Sequence, residues 1–330
     1  MEGAFVCLPA TLAKDKNTRK RERVEKEKIQ FVETSLDEKL VAPVIYRNYQ
    51  HQTTEVGVRL PTDVVAELQK FLTAFNLVVG VTQTPFYRLD AYFTEDVLHI
   101  LEINASFVDG WGTALNLARA AGIRIDPQPF RNFPKMFSLA NEDYYHELEL
   151  FITELGHLGL KGGGKIIDWE TAINGGELVY LYGRNSRKVA KNLLPYDGLR
   201  LDNKFHLSQL SRQWDGKRVL TPRHYFHPDP WEMMPEDVIL KFCDKSSLEC
   251  QKARHSVIFG RPNGKASFLK RAFREEKLIA QEMVEPNRDD GQNCQLVILA
   301  IGEEVATGYV QFSTSRMIND NSTHGPLLLE

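Results

Sequence analysis

The stretch Tyr87-Arg88-Leu89-Asp90-Ala91-Tyr92-Phe93, followed by Leu98-His99-Ile100-Leu101-Glu102-Ile103-Asn104, decides how this chain is to be read. Apolar and polar residues alternate in both pieces, the pattern of strands with one covered face. Thr94-Glu95-Asp96 reads as the turn between them. Side chains two apart share a face of a strand. Arg88 and Asp90 therefore point one way on the first strand, and Glu102 and Asn104 one way on the second. A hairpin that pairs these faces brings three oxygen-bearing side chains beside a fixed cation. Hard divalent metals favour such a site, with phosphate oxygens completing the shell. Spacing alone also fits exposed polar positions of an ordinary hairpin.

The residues themselves resemble the ATP-grasp family of carboxylate–amine ligases, in which an Arg-x-Asp strand and a Glu-x-Asn strand hold the magnesium ions of ATP. The resemblance runs on through Ala105-Ser106-Phe107-Val108-Asp109-Gly110-Trp111-Gly112 into a helix over Thr113–Ala121. It also runs back through a helix over Asp63–Phe75 to the segment Asn76–Gly80. It implies that Asp90, Glu102 and Asn104 hold two Mg²⁺ ions, Mn²⁺ being an alternative, and that Arg88 serves the transfer of the phosphoryl group. In the family this block sits near the C-terminal end, whereas here it lies in the first third.

Around that block the chain is that of an ordinary soluble protein. Its 330 residues suffice for a sizeable core and two or three subdomains. An apolar content of 42% and a charged content of 26% are unexceptional, and a net charge of −3 argues against a dedicated nucleic-acid binder. No apolar run reaches the length of a membrane span, and Met1-Glu2-Gly3 does not begin a signal peptide. Cys7, Cys243, Cys250 and Cys294 lack CxxC spacing, so neither a zinc site nor a disulfide framework is expected. A cytoplasmic location follows as the expectation, with no membrane or nucleic-acid partner and a homodimer left open.

Residues 4–13 read as a short extended piece, and the mixed-charge run Lys14–Lys28 as a solvated helix or loop. A strand is expected over 40–49, with Pro43 at an edge. Pro61-Thr62-Asp63 opens a helix whose Val64, Val65, Leu68, Phe71, Leu72 and Phe75 form an apolar core stripe. Pro127, Pro129 and Pro134 mark 123–140 as a linker. Beyond it, helices are expected over 143–158, 187–193 and 205–214. Strands are expected over 165–169, 177–182 and 199–201. This alternation suggests a small parallel sheet with helices on its faces. Gly162-Gly163-Gly164 lacks phosphate-loop spacing and reads as a turn.

In the last segment, strands are expected over 237–242, 278–284, 295–301 and 307–313, a strand and turn over 255–264, and an amphipathic helix over 265–276. Lys241 lies inside the apolar strand Val238–Phe242, where its ammonium needs an anion, either a neighbouring carboxylate or a ligand. The order of pieces here is again similar to ATP-grasp: a strand lysine, a glycine-bearing flap at Ile258–Gly264, a helix, then Ala280-Gln281-Glu282-Met283-Val284. The resemblance implies that Lys241 and Lys204 bind the phosphates of ATP. It also implies that backbone groups around Glu282 and Val284 read the adenine edge, with Gln281 alongside. The flap departs from the family, since no glycine lies between Lys241 and Ile258. Glu285 and Asp289 are alternatives for the ribose carboxylate. Arg316, in Ser315-Arg316-Met317-Ile318-Asn319-Asp320-Asn321, is similar to a substrate-side arginine of glutathione-synthetase-like members, or is a surface arginine.

In the family the metal hairpin comes last. Joining residue 330 to residue 1 would restore that order. The chain is therefore read as a circularly permuted ATP-grasp fold of α/β (α+β) class, with the nucleotide in a cleft between two α+β subdomains. The expected divisions are 1–125 with the metal hairpin, 126–222 as a small parallel α/β domain, and 223–330 for the nucleotide. The implied activity is ATP-dependent ligation of a carboxylate to an amine through an acyl phosphate. A nucleotide-binding regulatory or scaffold protein, or a phosphotransferase, would use the same fold.

Overall fold

The computed structural model describes residues 27–46, 49–105, 108–139, 141–160, 164–182, 191–194, 198–244, 247–248, 250, 257–260, 266–315, 318 and 322–330. The extended piece expected at 4–13, Gly162-Gly163, the flap beyond Gly260 and the part of the expected helix at 187–190 lie outside these residues. So do Arg316 and all but the last two residues of the 14–28 run.

The class is mixed α and β. Among the described residues, ten strands form one large sheet. Its principal order runs Gln30–Glu33, Val56–Leu60, Thr323–Leu329, Glu304–Ser313, Gln292–Ile301, Phe86–Phe93, Leu98–Asn104 and Val219–Leu220. Strands from the first and last thirds of the chain thus interleave. Thr323–Leu329 pairs in parallel with Val56–Leu60, and Gln292–Ile301 pairs antiparallel with Phe86–Phe93. The strands at 56–60 and 323–329 carry no alternation that sequence reading picked out; both are largely buried and read as short apolar runs.

Helix α1 (Thr62–Val79) covers one face of this sheet. Its buried stripe is Val64, Leu68, Phe71, Leu72, Phe75 and Val79, each no more than 4% exposed. Burying a side chain of this size stabilises by about 1.5–3 kcal/mol. The helix ends where Gly80 takes a left-handed conformation at φ 62°, which glycine adopts without a Cβ penalty.

The opposite face is covered by α2 (Trp111–Ala120) and α3 (Tyr145–His157). Trp111, Phe133, Phe137, Phe151 and Tyr180 fill the core between these helices and the sheet. The two helices meet along residues spaced four and three apart: Gly112, Asn116 and Arg119 on α2 face Glu147, Phe151 and Glu154 on α3. Arg119 donates to both oxygens of Glu154 at 2.8 and 2.9 Å, and Asn116 donates to the same carboxylate at 2.8 Å. At Gly112 a Cβ would lie 2.6 Å from the Glu147 carbonyl oxygen and 2.7 Å from the Phe151 nitrogen. Gly112→Ala should therefore destabilise the protein by about 1–3 kcal/mol through overpacking. In a free helix the same change would gain about 1 kcal/mol. Chemical denaturation of the variant decides the sign.

A second sheet is wholly parallel, ordered Leu193–Leu194, Val179–Tyr182, Met136–Leu139 and Lys165–Ile166. The expected linker thus contributes its central strand, because Phe137 and Ser138 are buried there. Further expectations are corrected. The described end of the helix expected over 187–193 is a turn at 191–192 and the strand Leu193–Leu194. Residues 167–169 leave the strand for a short helix at Trp169–Asn174 capped by Asp168, and 198–201 is helical rather than extended. The expected 40–49 strand is reduced to a two-residue pairing of Ile45–Tyr46 with Tyr49–Gln50. A third, antiparallel sheet runs His224–Tyr225, Leu278–Glu282, Val238–Phe242 and Val257–Phe259, backed by the helix Ala266–Arg274. Its core centres on Leu240, Leu269, Phe273 and Ala280. Among the described residues, no helix is long and apolar enough to cross a membrane.

Candidate functional site

The hairpin at the middle of the large sheet pairs as its alternation requires. Arg88 lies opposite Asn104, and Asp90 opposite Glu102. A bulge follows between Asp90 and Ala91, where the register shifts. Bulges increase local twist and re-aim side chains.

Arg88, Asp90 and Asn104 form a connected set with Asp109. Arg88 Nε donates to Asp90 at 3.1 Å, and Nη1 donates to Asp109 at 2.7 Å. Asn104 Nδ2 donates to the other Asp90 oxygen at 3.2 Å. Burial works against the Arg88 charge, but Asp90, Tyr309 and Asp109 outweigh it and hold the guanidinium well above its ordinary pKa. Arg88 is thus a permanent cation on the sheet face.

Two lysines arrive from elsewhere. Lys204 opens the helix Lys204–Ser211, whose N-cap is Asn203. Its ammonium is 2.6 Å from Glu102 and donates to Asn104 Oδ1 at 3.0 Å, with Asp202 at 3.5 Å. The Lys204 side chain is only 5% exposed, and this cluster of oxygens is what allows its charge to be buried. Lys241, on the central strand of the third sheet, donates to the Leu101 carbonyl at 3.1 Å and lies 3.9 Å from Glu102. Gln281 donates to the same Leu101 carbonyl at 3.0 Å. One carboxylate and one peptide carbonyl of the hairpin thus receive groups from two other parts of the fold.

These side chains line one cleft of about 260 Å³. Arg88, Asp90 and Glu102 form one wall, and Lys241, Gln281, Glu282 and Val284 another. Lys204 sits behind Glu102, held by its contacts to Glu102 and to Asn104, which in turn donates to Asp90. Arg88, Asp90, Glu102, Lys241, Gln281, Glu282 and Val284 thus line one cleft, with Lys204 and Asn104 beside it; Glu285 and Asp289 are not among its lining residues, and Arg316 lies outside the described residues.

Sequence reading missed several contributors. Asp202 lies beside Lys204 and accepts from the Ala105 amide at 3.3 Å. Tyr92, Gln295 and Gln311 also line the cleft. Gln295 and Gln311 are directly opposed on neighbouring strands. A polar residue on an otherwise apolar central strand was the available signal. His224 is fully buried against Gln281, 3.1 Å from its amide nitrogen; burial and Lys241 lower its pKa to about 3, so it stays neutral. A larger cavity of about 440 Å³, walled by Arg212, Arg223 and Tyr225, contains none of the residues named from the sequence. Its Arg212 already pairs with Asp229 at 2.6 Å and stacks on Phe226.

The donor set Asp90, Glu102 and Asn104 offers two carboxylates and an amide, all hard oxygens. Among the described residues, no cluster of three or more His, Cys, Asp or Glu side chains stands ready to hold a metal alone. The set fits magnesium as a ligand of few protein oxygens whose shell is completed by phosphate and water.

No family model matches the chain, and no curated protein is similar to it in sequence. In three dimensions the chain is similar to a crystal structure from Methylobacillus flagellatus KT, of a protein provisionally named gamma-glutamylcysteine synthetase. The TM-score is 0.39 at 12% identity, over 79% of this chain and 84% of that one. Function is therefore argued from the site's own geometry.

Proposed function

We propose that this chain is an ATP-dependent ligase that joins a carboxylate to an amine through an acyl phosphate. The observation that carries the reading is the cleft itself. A permanent arginine and two carboxylates, one of them backed by Lys204, face a wall of Lys241, Gln281, Glu282 and Val284, the two walls drawn from different sheets. Such a constellation suits a nucleoside triphosphate: an edge-reading strand for the base, lysines for the phosphates, and hard oxygens for their counter-ions.

Lys204 and Lys241 would bind phosphate oxygens, exchanging their present partner Glu102 for the ligand. Released from the lysines, Glu102 would join Asp90 and Asn104 as a magnesium ligand. Magnesium bound there would supply neutralisation of the phosphate charge. Backbone groups of Glu282 and Val284 would read the adenine edge. Arg88 would hold oxygens of the γ-phosphoryl group as it passes to the substrate carboxylate. In that step the bond from phosphorus to the β-bridging oxygen breaks and a bond to the carboxylate oxygen forms. Attack by the amine then forms a C–N bond and expels phosphate with the electron pair. Catalysis of this kind is mostly positioning and charge stabilisation.

The test uses hydroxylamine. With Mg²⁺-ATP and a panel of carboxylic acids, any acid that stimulates ADP formation should yield a hydroxamate. ADP formation without hydroxamate would reject the ligase mechanism and leave a phosphotransferase. Saturable ATP binding with no acid-stimulated turnover would leave the scaffold reading.

A further inference from the structure

Arg88 and Gln311 line a second, smaller cavity of about 50 Å³ as well as the cleft. Its other walls include His51, Asp109, Thr113, Glu147 and His324, with Tyr144 and Tyr309 beside them. The construction is unusual in leaving buried polar atoms without partners. Glu147 Oε1 accepts from the backbone N–H groups of Gly112 at 2.6 Å and Thr113 at 3.1 Å, which caps α2. Among the described residues, its Oε2 has no hydrogen-bond partner, although the residue is buried. The Nδ1 of His324 is likewise unpartnered, while its Nε2 lies 3.2 Å from His51 Nδ1 and 3.1 Å from the Ser322 hydroxyl. Unpaired buried polar atoms are costly, and a native structure keeps few of them.

The charges around the cavity do not balance either. Arg88 is engaged by Asp90 and Asp109, and among the described residues no cation is paired with the Glu147 carboxyl. Burial, with Asp109 nearby, raises its pKa to about 8 despite the backbone donors, so at neutral pH it retains a proton. A cation entering the cavity can replace that proton without changing the buried charge.

We propose that this cavity seats the ammonium head of the amine co-substrate, held by Glu147, Asp109 and His324 beside Arg88; the assignment rests on the ligase reading. A primary ammonium carries three N–H donors; Glu147 Oε2 and the Asp109 carboxylate offer acceptors, and His324 Nδ1 offers a third in the tautomer whose Nε2–H donates to His51 Nδ1 or the Ser322 hydroxyl. The volume holds a few water-sized groups, so it fits the head and not the body of a substrate. Before attack the ammonium passes one proton to the Glu147 carboxylate. The neutral nitrogen then forms its bond to the acyl carbon as the carbon–oxygen bond to phosphate breaks. The departing phosphate takes the electron pair and the second proton, and the amide keeps the third.

The test is a titration of the full chain with ¹³C-methylammonium followed by NMR, at pH 7 and pH 9. Methylammonium remains charged throughout. The ionised fraction of Glu147 rises from roughly 0.1 to roughly 0.9 across this interval, so affinity should rise about tenfold. Glu147→Gln keeps the oxygen that caps α2 and loses the charge. It should bind methylammonium at least about tenfold more weakly at pH 9 and show no rise with pH. Absence of saturable binding to the unmodified chain, or binding that is pH-independent there, overturns the proposal without reference to any variant. Equal affinity in the two proteins also overturns it. Where hydroxamate formation succeeds and methylammonium binding ignores Glu147, the cavity assignment fails and the ligase reading stands. Where Glu147-dependent binding occurs and no acid drives ATP turnover, the cation site stands and its role as an amine seat falls with the ligase reading.

Discussion

Glu102→Gln should abolish magnesium-dependent ATP consumption, by more than about 100-fold, while leaving the thermal transition close to that of the unmodified chain. The two halves of this expectation have separate causes. Glu102 is the one carboxylate touched by both Lys204 and Lys241, at 2.6 and 3.9 Å. A glutamine keeps an oxygen that can accept from Lys204. Lys204 also retains Asn104 at 3.0 Å and Asp202 at 3.5 Å, so its ammonium is not stranded. Turnover has no such redundancy. Loss of groups that merely support a metal ligand costs about 10–100-fold, and loss of the ligand itself should cost more. Asp90→Asn should behave alike, since the amide still faces Arg88 and Asn104 but no longer carries charge. ADP release at varied magnesium, with thermal melts of the same samples, tests both. A large fall in thermal stability, or unchanged turnover, would return these residues to a structural role.

Arg88→Lys should lower kcat by about 10²–10³ with little change in the affinity for ATP. The guanidinium reaches Asp90 through Nε and Asp109 through Nη1, two carboxylates on different segments. A lysine ammonium is a single point and cannot hold both in the same plane. The fork that would grip oxygens of the transferring phosphoryl group is lost although the charge remains. Those oxygens redistribute charge chiefly in the transition state, so the loss falls on the chemical step. Steady-state kinetics and an equilibrium ATP titration separate the two terms. A tenfold weaker ATP affinity at unchanged kcat would make Arg88 a ground-state phosphate ligand.

The local parts of the site were legible because strand alternation is a property of consecutive residues. Arg88, Asp90, Glu102 and Asn104 sit two apart in pairs, and a hairpin with its turn at Thr94–Asp96 brings the pairs face to face. The α1 stripe was legible for the same reason, at helical spacing. What escaped were elements too short or too apolar to show a period. Val56–Leu60 and Thr323–Leu329 are buried runs whose identity as strands depends on pairing with each other. The Met136–Leu139 strand sits among prolines, and only burial of Phe137 between neighbouring strands makes it one.

By itself the sequence indicated the α+β class and the hairpin, and it named the side chains of the candidate site: two arginines, Arg88 and Arg316, two lysines, two carboxylates and two amides. It also located Lys241 on a strand where its charge needed a partner. Only the tertiary structure decided that this partner includes Glu102, 139 positions earlier in the chain. It alone placed Glu147 at the head of α2 with one oxygen unpaired, beside the same Arg88 that faces the cleft. The physical reason is that burial and charge compensation are long-range quantities. A carboxyl's proton affinity depends on which distant segments exclude water from it and which charges they bring. No spacing along Asn141–Leu155 records that Asp109 and Arg88 will lie against Glu147.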